Sequence, residues 1–185
     1  MASKGVKTCL GVSLLFLIIV VGVIVTLSLT IFKIRDPDVS VHPLGLKNLN
    51  FSFSPNTNMS MPMLITIVNH NHGSFRYKNS TGYVNYGGTV VAEVPMLSSL
   101  VPPRSSINVT SYASFMIGRL LENPKFWSDI VTGGTLNMTS TTALPGKVIA
   151  LKIIKLKATA YTTCDISLNI ISKTADTKCI SKLKL

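Results

Sequence analysis

The sequence predicts a mainly β domain, a β-sandwich with one short helical insert, preceded by a single N-terminal transmembrane helix. Three observations support this fold class. A stretch of 23 residues, 10–32, contains no charged residue. Most of the chain beyond it alternates apolar and polar residues with a period of two, which is typical of strands. Residues 114–123 instead place apolar side chains four apart, as a helix does.

The apolar stretch 10–32 is long enough to cross a bilayer. Seventeen of its residues are Leu, Ile, Val or Phe, and the rest are Gly, Ser or Thr. As a helix it would span roughly 34 Å, whereas a hydrocarbon core is about 30 Å thick. A cleaved signal peptide has an apolar region of only about 7–15 residues, followed by a small-residue cleavage site. The segment has no such site, so we expect an uncleaved signal anchor at 10–32 after a head at residues 1–9.

The orientation of this anchor is predicted from glycosylation acceptors, because the flanking charges barely decide it. Five Asn-X-Ser/Thr triplets follow the anchor. Alternation places Asn50, Asn108 and Asn137 on polar strand faces, whereas Asn58 and Asn79 fall in predicted turns. We therefore expect the head in the cytosol and the domain outside, at the plasma membrane.

Prolines predict a linker between the anchor and the domain. Asp36-Pro37-Asp38 and His42-Pro43 indicate a linker over residues 33–45 and a β-sandwich over 46–185. Gly87-Gly88 separates two alternating runs and predicts a tight hairpin. The other predicted strands have their apolar faces at Leu49 to Phe53, Met63 to Ile67, Ile107 to Val109, Leu136 to Met138, Leu156 to Ala160 and Cys164 to Ile170.

The helical insert is predicted in two parts. Met116 and Leu120 lie four apart, as do Ile117 and Leu121. Asn123-Pro124 then ends this segment and starts a second turn, with Asn as N-cap and Pro at the first helical position. Gly133-Gly134 predicts the end of that turn.

Few side chains are placed for catalysis or metal binding. His70 and His72, with His42 as a distant third, form the one metal-like cluster, and a solvated turn explains them without a metal. The acids of the domain are Glu93, Glu122, Asp129, Asp165 and Asp176, and their predicted elements give no reason for a catalytic pair to form. We expect no enzymatic activity, no metal and no cofactor.

The net charge of +11 is concentrated toward the C-terminus, where residues 147–185 hold eight Lys against Asp165 and Asp176. Such a face is attracted to acidic lipid headgroups or to a polyanionic wall polysaccharide. A solvated face that only keeps the domain soluble is the simpler interpretation. Nucleic acid is not favoured, since no recognised binding motif accompanies the charge.

Three cysteines complete the candidate residues. Cys9 precedes the anchor, and the sequence is compatible both with palmitoylation of its thiol and with an unmodified thiol. Cys164 and Cys179 lie in the outer domain, and an oxidising compartment favours a disulfide between them. A hairpin turning at residues 173–176 would instead separate them by more than about 10 Å, beyond bonding distance. That turn is the predicted one, and the bond would need either a turn centred nearer residues 171–172 or a β-bulge that changes the register.

A series of short motifs runs in order along the chain, at residues 32–37, 46–51, 68–71, 75–80, 86–88, 93–95, 128–134, 164–168, 179 and 182–185. This ordered series resembles the late embryogenesis abundant proteins of subgroup 2, in the membrane-anchored branch similar to harpin-induced and non-race-specific disease-resistance proteins of plants. The departure is His70, where the family usually has Pro.

The resemblance implies an immunoglobulin-like or fibronectin-like sandwich at the cell surface of a plant, with a role in stress or defence responses and no catalytic residues. We expect a non-enzymatic protein that binds membrane, wall or protein partners. The alternative is a desiccation protectant that stabilises membranes or proteins, and a lipid carrier would require an internal cavity.

Overall fold

The computed structural model describes residues 4–31, 34–46, 58–150 and 154–185. The chain divides into two units, Met1–Ile34 and Arg35–Leu185. In chain order the elements are α1 (Lys4–Ile31), β1 (Asp38–Pro43), β2 (Asn58–Asn69), β3 (Ser74–Tyr77), β4 (Ser80–Tyr86), β5 (Thr89–Met96), β6 (Ser99–Val101), β7 (Ser105–Met116), α2 (Ile117–Leu121), α3 (Pro124–Thr132), β8 (Thr135–Ala150), β9 (Ile154–Asn169) and β10 (Thr174–Lys184).

The first unit is the apolar helix α1. Its segment Cys9–Thr26 has a mean hydropathy of 2.9, and none of it is buried. Within the described residues it is the one helix long and apolar enough to cross a membrane, as either an anchor or a secretory signal would be. The predicted helix is thus present through Ile31, while Phe32 and the predicted strand at 49–53 with Asn50 lie outside the described residues.

The second unit is mainly β, as the alternating pattern predicts. Its strands pair antiparallel in one continuous sheet, in the order β1-β2-β7-β5-β4-β8, with β8 also pairing β9 and β3. The sheet folds over itself, because Ile65 of β2 and Ile166 of β9 line the same internal cavity although four strands separate them. Asp36 Oδ1 accepts the N–H of Leu183 at 2.8 Å, which joins the segment before β1 to β10. The result is a sandwich-like domain around one core.

The prediction of a linker over residues 33–45 is wrong for residues 38–43. Asp38–Pro43 is strand β1, which pairs with β2 from Asp38 opposite Val68 to Pro43 opposite Met63. Proline is tolerated at a strand end or sheet edge, so Pro37 before β1 and Pro43 at its last position do not prevent pairing. The domain therefore begins at Arg35 and not at residue 46.

The Gly-Gly hairpin is confirmed. Tyr86 at the end of β4 pairs with Thr89 at the start of β5. Gly87 and Gly88 have φ values of 55° and 84°, which only glycine adopts readily. The two strands are therefore joined by a tight two-residue turn.

The helical insert is confirmed in two parts, although it begins at Ile117 because Ser114 to Met116 continue β7. Asn123 caps α3, its side-chain oxygen accepting the N–H of Lys125 at 3.0 Å. The hydroxyl of buried Tyr86 donates to Asp129 Oδ2 at 2.8 Å and so fixes α3 against β4. Burial, together with that carboxylate, raises the pKa of Tyr86.

The register of β9 and β10 corrects the sequence prediction for the cysteines. The turn falls at residues 170–173 and not at 173–176, so Cys179 lies directly opposite Cys164. The two form a disulfide with an S–S distance of 2.04 Å. Lys173 adopts φ of 53° in this turn. Few residues other than glycine adopt a positive φ, so the sequence 172–178 gives no indication of this conformation.

We predict that the unreduced, unfolded full chain exposes one reactive thiol, that of Cys9. Replacing both Cys164 and Cys179 with Ala should lower the free energy of unfolding by roughly 3 kcal/mol, the entropy effect of a loop of about 15 residues. Thiol labelling in denaturant and thermal unfolding measure the two effects. Three reactive thiols without reduction would contradict the observed register.

Candidate functional site

The three histidines do not converge on one point. His70 Nε2 lies 2.7 Å from Asp38 Oδ2, and His72 Nε2 accepts from the Arg104 guanidinium at 3.1 Å. His42 is in β1, opposite Leu64. Within the described ranges, no group of three His, Cys, Asp or Glu side chains is placed to hold a metal.

The acids of the domain are also dispersed. Asp129 contacts Tyr86 and lies 3.7 Å from Lys125 Nζ. Asp165 and Asp176 occupy diagonal positions on the outer face of β9 and β10, where Lys178 stands directly opposite Asp165. Glu93 is exposed on β5, and Glu122 follows α2. Nothing in this arrangement forms an enclosed carboxylate pair of the kind used in acid–base catalysis.

The four described glycosylation candidates are all exposed. Asn79 lies in the link between β3 and β4, as predicted, but Asn58 is the first residue of β2 and not part of a turn. Asn108 and Asn137 point outward from β7 and β8. Their Oδ1 atoms accept hydrogen bonds from the hydroxyl groups of Thr66 and Ser167 on neighbouring strands, at 2.9 and 2.8 Å. Their Nδ2 atoms, which would carry a glycan, therefore have solvent on the outer face. Cys9 is exposed in α1.

A row of three cations crosses the outer face of the sheet. Arg76 of β3 pairs with Lys147 of β8, and Lys147 pairs with Lys157 of β9. All three side chains are exposed. Directly opposed residues on one face have Cβ atoms about 4.5–5.5 Å apart, so each cation is the immediate neighbour of the next. We call Arg76, Lys147 and Lys157 the cationic row.

Gly146 allows the row to form. It pairs with Tyr77, and a side chain there would collide with the main-chain oxygen of Arg76. Without a Cβ at this position, β3 can lie directly against β8. The glycine therefore sets Arg76 beside Lys147 as well as permitting the strand pairing.

More cations surround the row. Lys155 is on the same outer face of β9, two residues before Lys157. The main-chain N–H of Lys78 donates to Pro145 at 2.9 Å, which places Lys78 beside β8. Lys184 Nζ lies 5.4 Å from the centre of the Tyr161 ring, in the range of a cation–π contact. An open groove continues from Arg76 and Lys78 along Asn79 and Ser98 to Leu100.

Among the described residues, no carboxylate forms an ion pair with the cationic row. The ion pairs found in the described part of the chain are His70–Asp38 and Lys125–Asp129, and neither involves the row. Like charges directly opposite each other destabilise a sheet, on the order of 0.2–1 kcal/mol per pair, the scale of cross-strand interactions. The Cβ atoms of such a pair lie about 4.5–5.5 Å apart, closer than the screening length of about 8 Å at physiological ionic strength. The domain thus tolerates a local electrostatic cost that a bound anion would remove.

The internal cavity is too small for a carried lipid. It offers about 40 Å³ to water-sized molecules and is lined mainly by apolar side chains of both layers, with the hydroxyls of Ser140, Thr142 and Thr162. One water requires about 10–15 Å³ on this measure, so the cavity holds about four waters at most. This volume does not favour the lipid-carrier interpretation.

Comparison with known proteins gives no assignment. No family model matches the chain, and no curated protein does. A crystallised protein from Archaeoglobus fulgidus is similar with a TM-score of 0.41 and 10% identity, over 82% of this chain and 99% of that one. A FixG-related protein from Vibrio parahaemolyticus is similar with a TM-score of 0.32 and 9% identity, over 82% and 98%. The functional argument therefore rests on the chain's own residues.

Removing the central cation of the row is expected to stabilise the protein. Lys147→Gln should raise the free energy of unfolding by about 0.5–1 kcal/mol and the melting temperature by about 1–4 °C in low salt, because it relieves two like-charge contacts. Thermal unfolding of the full chain in phosphatidylcholine nanodiscs measures this.

Lys178→Gln is the matched control, since Lys178 lies opposite Asp165 and loses an attraction. It should give no gain in stability, and molar salt should abolish the gain of Lys147→Gln. A loss of stability for Lys147→Gln equal to that of the control would contradict the repulsion.

Proposed function

We propose that this chain is a single-pass membrane protein whose β domain binds polyanions without catalysing a reaction. The observation that supports this function is the cationic row, three neighbouring cations without a counter-charge on an exposed face. A polyanion with regularly spaced charges neutralises such a row and recovers the repulsive energy. Because the row lies on paired strands, the main-chain positions that carry its cations are held at fixed spacing.

The proposed location is the plasma membrane, with the head in the cytosol and the domain outside. Helix α1 would be the anchor. The disulfide between Cys164 and Cys179 supports an oxidising compartment for the domain. The exposed acceptors Asn58, Asn79, Asn108 and Asn137 are compatible with glycosylation there.

A role in plant stress or defence responses is part of the proposal. It is supported by the ordered motifs that resemble the membrane-anchored late embryogenesis abundant proteins of subgroup 2. Under this proposal the domain engages acidic lipid, wall polysaccharide or an acidic protein at the cell surface. A desiccation protectant would act on membranes or proteins without dependence on the cationic row, which separates the two functions experimentally.

The orientation predicts a change in mass on deglycosylation. When the full chain is made in plant cells, an endoglycosidase should increase its electrophoretic mobility, because the exposed acceptors lie in the proposed lumenal domain. Replacement of the acceptors Asn58, Asn79, Asn108 and Asn137 by Gln, one at a time, should assign the glycans. A chain whose mobility is unchanged by the enzyme would contradict an extracellular domain.

The binding function is tested with the full chain in phosphatidylcholine nanodiscs. Titration with polygalacturonate and with inositol hexakisphosphate should show binding that weakens with salt. The double variant K147Q/K157Q should reduce affinity about 30-fold, because each cation near an anionic surface contributes about 1 kcal/mol.

The matched control K125Q/K178Q removes the same net charge elsewhere on the domain. It should retain affinity within about threefold, since neither of its residues belongs to the row. Equal losses in the two double variants, or absence of binding both to the two polyanions and to acidic lipid, would contradict the proposed function.

A further inference from the structure

We propose that the polyanion is the acidic lipid surface of the bilayer that α1 crosses, and that the domain docks on it through one end of the sheet. This inference rests on the proposed function. The docking surface is the end of the β8–β9 ladder, where the cationic row, Lys155 and Leu100 lie on the outer face of the sheet. The exposed apolar side chains of Ile154 and Leu156 lie on its inner face at the same end. We call this end the basal surface.

The basal surface lies at the end of the domain where the chain enters. Asn71 binds both main-chain groups of Arg35, accepting its N–H and donating to its carbonyl, each at 2.7 Å. Two residues later, the Cβ position of Gly73 is 3.0 Å from the carbonyl oxygen of Ile149, near the end of β8. Ile149 pairs with Lys155. Arg35, the first residue of the domain, is therefore beside the strands that hold the cations.

Chain length places lipid headgroups within reach of this end. Four residue steps separate Ile31, the last residue of α1, from Arg35. An extended chain covers at most about 14 Å in four steps. The headgroup layer on one side of a bilayer is about 5–8 Å thick. A membrane crossed by α1 thus lies within the span of the connecting chain.

The exposed apolar side chains favour a bilayer over a polysaccharide. Ile154 and Leu156 are 41% and 43% exposed, although they follow the same alternation as the buried Ala158 and Ala160. Leu100 is 40% exposed and stands directly opposite Arg76. Aliphatic groups beside long cationic side chains suit a membrane interface, where the stems enter the apolar boundary and the charges remain with the headgroups. An anionic sugar polymer gains little from them.

The cations near this end outnumber its two carboxylates, those of Asp36 and Asp38. Asp36 accepts the N–H of Leu183, and Asp38 pairs with His70. Arg35 and Arg104 add cations beside Asn71, since the N–H of Arg104 donates to the Asn71 carbonyl at 3.1 Å. With both carboxylates counted, cations remain in excess and the charge of the basal end is positive.

The single tryptophan of the chain supplies a reporter of the opposite end. Trp127 is 57% exposed on α3. The end of α3 contacts Asn169, whose side chain donates to Gly133 at 3.4 Å. Ile154 and Asn169 are the two ends of the 16-residue strand β9. A tryptophan at Ile154 would thus report the basal surface, while Trp127 reports the far end.

The test uses the full chain in nanodiscs of brominated phosphatidylcholine, with or without phosphatidylserine. In the variant I154W/W127F, including phosphatidylserine should increase the quenching of the basal tryptophan by the brominated lipid at least about twofold, because acidic lipid draws the basal surface to the acyl boundary. Trp127 of the natural chain should not be quenched. Adding K147Q/K157Q should abolish the quenching, whereas adding K125Q/K178Q should preserve it.

L100W/W127F serves as a second basal reporter, and circular dichroism checks that each variant is folded. Quenching that is absent from both reporters, or equal with and without phosphatidylserine, overturns the inference. If polygalacturonate still binds through the row, the proposed function stands and the partner is a polysaccharide. If neither lipid nor soluble polyanion engages the row, the proposed function fails with the inference.

Discussion

The antiparallel pairing of β8 with β9 is the constraint on which the rest of the domain depends. It runs without a register shift from Thr135 opposite Asn169 to Ala150 opposite Ile154. On its other edge β8 pairs first with β4 and then with β3, so one strand fixes the positions of three others. A slip of one residue in this ladder would exchange the buried and exposed faces of both strands. Leu136, Leu144 and Val148 would then leave the core.

The same ladder places the charges. Val148 pairs with Leu156 toward the inside, and the adjacent pair, Lys147 with Lys157, must therefore point outward. The cationic row is thus a consequence of the register that fills the core. The register fixes the main-chain positions of its members side by side, and their long side chains determine how far apart the charges lie.

Local patterns predicted the elements, whereas the pairing between distant segments was beyond them. Alternation identified β2 and β9, glycines located the hairpin at Gly87, and Asn123 marked the start of α3. Strand β1 was missed because prolines commonly mark linkers, although an edge strand accepts them. The row was found only in part, since Arg76 comes from a short strand far from Lys147 in sequence. The predicted register of the two cysteines was wrong because the polar residues suggested a turn at 173–176, whereas the chain turns at 170–173.

Two features that are unusual for a protein surface occur on neighbouring residue pairs of the β8–β9 ladder. The first is electrostatic, the opposition of Lys147 and Lys157. The second is apolar, since the inward alternation of β9 continues to Leu156 and Ile154 although no described side chain covers them there. A solvated lysine face would explain the first, and a simple end of the core would explain the second. Their coincidence, at the end of the domain that Arg35 enters, fits a surface that meets charge and hydrocarbon together, and a lipid bilayer presents both within a few ångströms.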